Sequence, residues 1–182
     1  MNHVNTQKKV GATAKALCML SLALACAPAW SGSKEPKFTM TLFSDHAQGL
    51  SILDGDYKQA IKKINAKMSD RDRFQVETNL CVAYTKSGEL EAAEEACEAA
   101  LAAAESQKVS RHISAFGSTR YVARKQSIAI ALSNRGVLKA VKGDFDSARQ
   151  DFDAAIDLRA QLSAPKTNLE RLEIAVASAN RV

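Results

Sequence analysis

Cys81 and Cys97 are the two side chains of this 182-residue sequence whose spacing most directly suggests chemistry. Their midpoint is residue 89, inside the turn-forming run Ser87-Gly88-Glu89. Residues equidistant from the turn of an antiparallel helical hairpin lie level with one another, which brings two such cysteines within disulfide reach. In an oxidising compartment the bond closes a loop of about 15 residues and is expected to contribute about 3 kcal/mol. The alternative is a pair of reduced thiols packed as small core residues. Neither reading is that of a redox-active pair, which uses Cys-x-x-Cys spacing. His46 and His112 lack a second His or a carboxylate at a ligand spacing, so no metal site is predicted. Asp54 and Asp56, like Asp144 and Asp146, straddle a glycine, but the further oxygen ligands of a calcium loop are missing and helix capping suits them better. Ser110, Ser114 and Ser118 lie near His112 without any nucleophile motif, and no glycine-rich phosphate loop occurs. No catalytic residue, metal or cofactor is expected.

The elements that must position these residues are announced by a phrase that occurs three times. It reads Gly55-Asp56-Tyr57-Lys58-Gln59-Ala60, then Gly88-Glu89-Leu90-Glu91-Ala92-Ala93, then Gly143-Asp144-Phe145-Asp146-Ser147-Ala148. A glycine that ends one helix in the left-handed conformation, an acid at the positive start of the next, and an alanine that permits close approach describe a helical hairpin. The expected fold is all-α, with about three stacked antiparallel hairpins at 44–68, 70–107 and 120–162 and a capping helix at 167–179. Ser44 is the expected cap of the first helix. Ser69-Asp70-Arg71-Asp72 has the character of a capping box. Leu169, Leu172 and Ile174 are expected to cover the end of the stack. Gly55 and Gly88 are 33 residues apart but Gly88 and Gly143 are 55 apart, and the surplus is read as an inserted loop over 109–119. Residues 38–43 are apolar and threonine-rich. They are expected to be extended or packed on the first hairpin, with no partner strand and hence no sheet.

Residues 1–29 have the form of a signal peptide. Lys8, Lys9 and Lys15 precede an apolar run over 16–25, and Ala27-Pro28-Ala29 offers a small-x-small cleavage pattern before Trp30. Residues 30–43 then form a leader ahead of the helical domain over 44–182. Leu24-Ala25-Cys26 also resembles a lipobox, so two locations stand: periplasmic or secreted after cleavage, or membrane-anchored through a lipidated Cys26. Cleavage removes three of the 25 basic residues and none of the 20 acids, so the formal charge of +5 falls to +2. The basic character is a targeting feature, and nucleic acid is not an expected partner.

The hairpins resemble the tetratricopeptide repeat (TPR) family. The residues that carry this are Asn79-Leu80, Ala83-Tyr84, Gly88, Leu90, Ala93 and Ala100-Leu101 in the second hairpin, and Asn134, Gly136, Gly143, Phe145, Ala148, Phe152, Ala155 and Ile156 in the third. The first hairpin matches in Gly55, Tyr57 and Ala60. The resemblance covers roughly residues 41–162 and implies a right-handed solenoid. It also implies a concave groove that binds an extended peptide or a helix, with Thr78, Asn79, Val82, Lys86, Ser133, Asn134 and Val137 as groove candidates. Asn79 and Asn134 take the places from which family members often bind a peptide backbone.

Charge is segregated along the chain. Residues 89–105 carry six glutamates and no base, whereas Lys108, Arg111, Arg120, Arg124, Lys125 and Arg135 follow without an acid. The basic segment lies against its own glutamate-rich helix, or it faces an anionic partner. Phe116, Tyr121 and Arg124 are the candidates for an interaction site on the inserted segment. The function expected is that of an exported, non-enzymatic adaptor of the bacterial envelope that binds an unidentified protein or peptide. The alternatives are a lipid-anchored accessory subunit of an outer-membrane assembly machine and, last, an enzyme with its site in the inserted loop.

Overall fold

Gly55, Gly88 and Gly143 hold φ values of +87°, +83° and +84°, so each turns the chain in a conformation that a side chain would strain. These corners divide a computed structural model that describes residues 38–67, 72–107 and 115–179, all within one compact unit that spans Glu35–Val182. The proposed signal peptide, Cys26 and residues 30–37 lie outside the described residues. The described residues form seven α-helices and no strand: α1 Gly49–Leu53, α2 Tyr57–Asn65, α3 Arg73–Ser87, α4 Leu90–Glu105, α5 Ala115–Val141, α6 Phe145–Leu158 and α7 Ser163–Ala179.

Each helix packs on the next. The odd-numbered helices touch in series, α1 on α3, α3 on α5 and α5 on α7, whereas the even-numbered ones make no comparable contact with each other. Small residues permit this spacing. Ala60, Ala93 and Ala148, the last residues of the three repeated phrases, are fully buried. Gly136 matters for the same reason, because a Cβ there would lie 2.7 Å from the ring of Phe152. Phe152 and Leu172 are themselves fully buried at the α5–α6–α7 junction.

The cysteines meet. Cys81 on α3 and Cys97 on α4 form a disulfide with their Cα atoms 4.7 Å apart, both buried among Val76, Leu80, Ala93 and Ala96. Of the turn acids, Asp144 caps its helix by accepting the Ser147 N–H at 3.2 Å, and the Ser147 hydroxyl, followed by this N–H, holds its carboxyl below the usual carboxylate range. Asp56 and Asp72 make no side-chain cap bond.

Three boundaries and one covering residue differ from those expected. The helix awaited from Ser44 begins only at Gly49, because the carbonyls of Phe43, His46 and Ala47 are held by an asparagine side chain, and Ala47 and Gln48 turn at positive φ. Residues 115–119, read as loop, are helical from Ala115; serine and threonine are tolerated in a first turn, whose N–H groups lack helical partners anyway. The last helix starts at Ser163, with Pro165 in its first turn, where no N–H is needed. On it Leu172 is buried, but Ile174 is 61% exposed and does not cover the end.

Glu77 is a buried acid on α3, with Arg73 3.7 Å away on the same helix. Burial raises its carboxyl above the usual carboxylate range, and the Arg73 charge offsets this only in part. A carboxyl raised in the folded state contributes most below its unfolded pKa, and that contribution is lost as pH rises through the folded value. Glu77→Gln is therefore expected to raise the melting midpoint by a few degrees at pH 7.5 and to leave it nearly unchanged at pH 3.5. Equal shifts at both pH values would show that charge is not the cause.

Candidate functional site

Three asparagines, one on each of α3, α5 and α7, converge on the extended segment 38–43. All are buried: Asn79 and Asn168 are 0% exposed and Asn134 is 1%. Each side-chain amide makes the same pair of bonds to one residue of the segment. Asn168 Oδ1 accepts the Thr39 N–H at 2.8 Å while its Nδ2 donates to the Thr39 carbonyl at 2.7 Å. Asn134 does the same to Thr41, at 2.8 and 2.7 Å. Asn79 does it to Phe43, at 2.8 and 2.9 Å, and its Nδ2 also donates to the His46 carbonyl at 2.8 Å.

The arrangement follows from what a buried amide needs. An asparagine taken out of water is costly unless donor and acceptor are both satisfied. A residue in extended conformation presents its own N–H and C=O along one edge and can satisfy both at once. Three rungs on residues 39, 41 and 43 use that period of two. The segment runs from α7 towards α3, against the order of the helices. The rungs contact main chain only, so they admit any residue except proline, which has no N–H to give.

Side chains hold the register. Phe38 stacks on Phe152 at 6.5 Å between ring centroids, and Phe43 meets Phe74 edge-on at 5.4 Å. Met40 and Leu42 pack on the core formed by α1, α2, α3 and α4 with Leu138 of α5, and Met40 also reaches the cluster of Val137, Phe152 and Leu172. Thr39 Oγ1 accepts a bond from Arg171 at 2.8 Å. Gly49 completes the seat: a Cβ there would fall 2.1 Å from the Phe43 carbonyl oxygen.

Among the groove candidates, Asn79 and Asn134 thus bind a peptide main chain, and that main chain is the protein's own. Val82 and Val137 belong to the buried clusters on which the segment packs. The Thr78 hydroxyl is turned to its own helix, donating to the Phe74 carbonyl at 2.6 Å. Lys86 is exposed and has no part in the clamp. Ser133 is buried with a hydroxyl that has no hydrogen-bond partner. Asn168 was missed, although it follows Asn134 by 34 residues, close to the 33-residue spacing of Gly55 and Gly88. That spacing makes α7 the bearer of a third rung as well as a terminal helix.

The loop candidates are not on a loop. Phe116, Tyr121 and Arg124 all lie within α5. Tyr121 is 48% exposed with Lys125 Nζ 4.8 Å from its ring centre. Arg124 donates twice to the Glu105 carbonyl, at 3.1 and 2.7 Å, and so satisfies an end group of α4.

The basic helix and the glutamate-rich helix do pair. Arg135 on α5 reaches Glu98 on α4 at 2.9 Å and grips the carboxylate of Asp151 on α6 with two bonds of 2.8 and 2.7 Å. Lys139 adds a third contact to Asp151 at 2.9 Å, and Lys142 reaches Glu94 at 2.5 Å. Asp151 is only 4% exposed, so this is a buried carboxylate between two cations. Among the described residues no group of three or more His, Cys, Asp or Glu side chains could hold a metal ion. No helix among them is long and apolar enough to cross a membrane. No protein-family model, curated protein or solved structure matches the chain.

Proposed function

We propose that the protein is an exported, non-enzymatic TPR-like adaptor of the bacterial cell envelope that binds protein segments in extended form. The observation that carries this reading is the asparagine ladder, which takes hold of main chain and is indifferent to side chains. The serial contact of the odd-numbered helices supports a solenoid with these helices on its inner face, so that segment 38–43 occupies the concave groove. The Cys81–Cys97 bond suits an oxidising compartment.

On this reading the protein's own segment and a partner segment compete for the rungs. A tethered occupant acts at an effective concentration of about a millimolar, so it suppresses a free peptide strongly. Thr41→Pro removes the N–H given to Asn134 and weakens the tethered occupant at its centre. A soluble peptide that carries residues 38–43 between flanking lysines is expected to bind this variant at least tenfold more tightly than the unaltered chain, by fluorescence anisotropy. Equal binding to both, with helicity intact, would remove the groove as a peptide site.

A further inference from the structure

The segment offers its two edges unequally. An extended chain directs the N–H and C=O of alternate residues to one edge and those of the residues between to the other. The edge of Thr39, Thr41 and Phe43 is consumed by the asparagines. The N–H and C=O groups of Met40 and Leu42 therefore point away from the buried amides, and they make no hydrogen bond within the described residues. This edge is not loose chain. The side chains of Met40 and Leu42 are packed into apolar clusters, so its donors and acceptors are fixed in position.

We propose that the Met40–Leu42 edge is a strand-addition site, on which an extended segment of a partner protein pairs beside the protein's own segment. Two alternate residues with free N–H and C=O are the template on which another chain adds a strand. In an antiparallel register each exchanges both bonds with one partner residue, four bonds in all. The occupant must be extended at two alternate residues and free of proline at both. Segment residues 38 and 40–43 are half-buried, a setting in which a single extended chain reaches two alternate main-chain residues more readily than the broad face of a second folded copy does. Because the template is already ordered, only the incoming segment loses conformational freedom.

The inference rests on the peptide-binding reading above but differs from it in which main-chain groups the partner meets. Amide NMR of the full chain separates the two. The probe is the soluble strand-forming peptide acetyl-KTVTVTK-amide, which has no aromatic residue to stack. Strand addition predicts that the Met40 and Leu42 amides shift and become protected from solvent exchange while those of Thr39, Thr41 and Phe43 hold their positions. Leu42→Pro removes one outward N–H and none of the N–H groups given to the three asparagines, so it is expected to weaken the probe at least tenfold, whereas Leu42→Ala, which loses the same packed side chain but keeps the N–H, is expected to bind the probe as the parent chain does; Met40→Pro and Met40→Ala provide the second such pair. Shifts at Thr39, Thr41 and Phe43 instead would mean displacement of the segment, which keeps the groove reading and overturns this one. No shift at Met40 and Leu42 with millimolar probe overturns it too. Probe-free, concentration-dependent dimers that shift the same two amides would assign the edge to a second copy and overturn the partner segment.

Discussion

Asp151→Ala is expected to lower the unfolding free energy by about 3–5 kcal/mol, a large part of the about 5–15 kcal/mol that holds a domain of this size together. The carboxylate is buried and receives two bonds from Arg135 and one from Lys139, while Arg135 also reaches across to Glu98. Its removal leaves the Arg135 guanidinium, only 19% exposed, without its closest counter-charge. The loss comes mainly from that stranded cation and only secondarily from the attraction itself. The paired replacement Arg135→Met with Asp151→Leu is therefore expected to recover much of the deficit, because apolar side chains of similar volume often replace a buried ion pair at little cost. Urea unfolding of the three variants checks this, with the midpoint falling and the slope unchanged for Asp151→Ala. A single variant within about 1 kcal/mol of the parent would show that the three-helix clip is solvated and carries no such weight.

The helices and the disulfide were legible because each depends on short-range pattern. The three glycine phrases marked the corners, and the placement of Cys81 and Cys97 about residue 89 paired them without any knowledge of tertiary contacts. Where local chemistry was overruled from a distance, reading failed. Ser44 looks like a helix cap, but Asn79, 35 residues away, holds the carbonyls of residues 43, 46 and 47. Residues 38–43 alternate apolar side chains with threonines and so suggest a strand, yet their partners are side-chain amides 36, 93 and 129 positions further on. No strand periodicity elsewhere can announce such partners. Asn79 and Asn134 were reached through the family resemblance. Asn168 could have been reached by counting one more repeat from Asn134, had α7 not been read only as a cover. The charge pairing of α4 with α5 was foreseen as one of two readings, but Asp151, its buried centre, follows Gly143 by eight residues among ordinary surface-type acids and carries no signal of burial.

Asn134→Leu is expected to free the segment while the helices stay folded. The leucine fits the buried site in volume but leaves the Thr41 N–H and C=O without partners, at about 1–3 kcal/mol for each group. Release into water caps that cost, so local opening precedes global unfolding. Amide hydrogen exchange resolves the event residue by residue. In the parent chain the ladder predicts slow exchange at Thr39, Thr41 and Phe43 and fast exchange at Met40 and Leu42, an alternation that no helix or loop produces. In Asn134→Leu the Thr41 amide is expected to lose about 100-fold in protection or more, and Thr39 and Phe43 follow because the segment leaves as a unit. Asn134→Asp provides the chemical control. Its carboxylate can accept the Thr41 N–H but repels the Thr41 carbonyl, whereas the protonated acid accepts one and donates to the other as asparagine does. The folded state thus favours the protonated form and raises its pKa, so the rung is held at low pH and lost as pH rises through that value. Protection of Thr41 in Asn134→Asp should accordingly return on acidification, while Asn134→Leu shows no such recovery. Uniform exchange along 38–43 in the parent chain would mean that the segment is not held by its alternate residues, and the ladder would lose its role as the clamp.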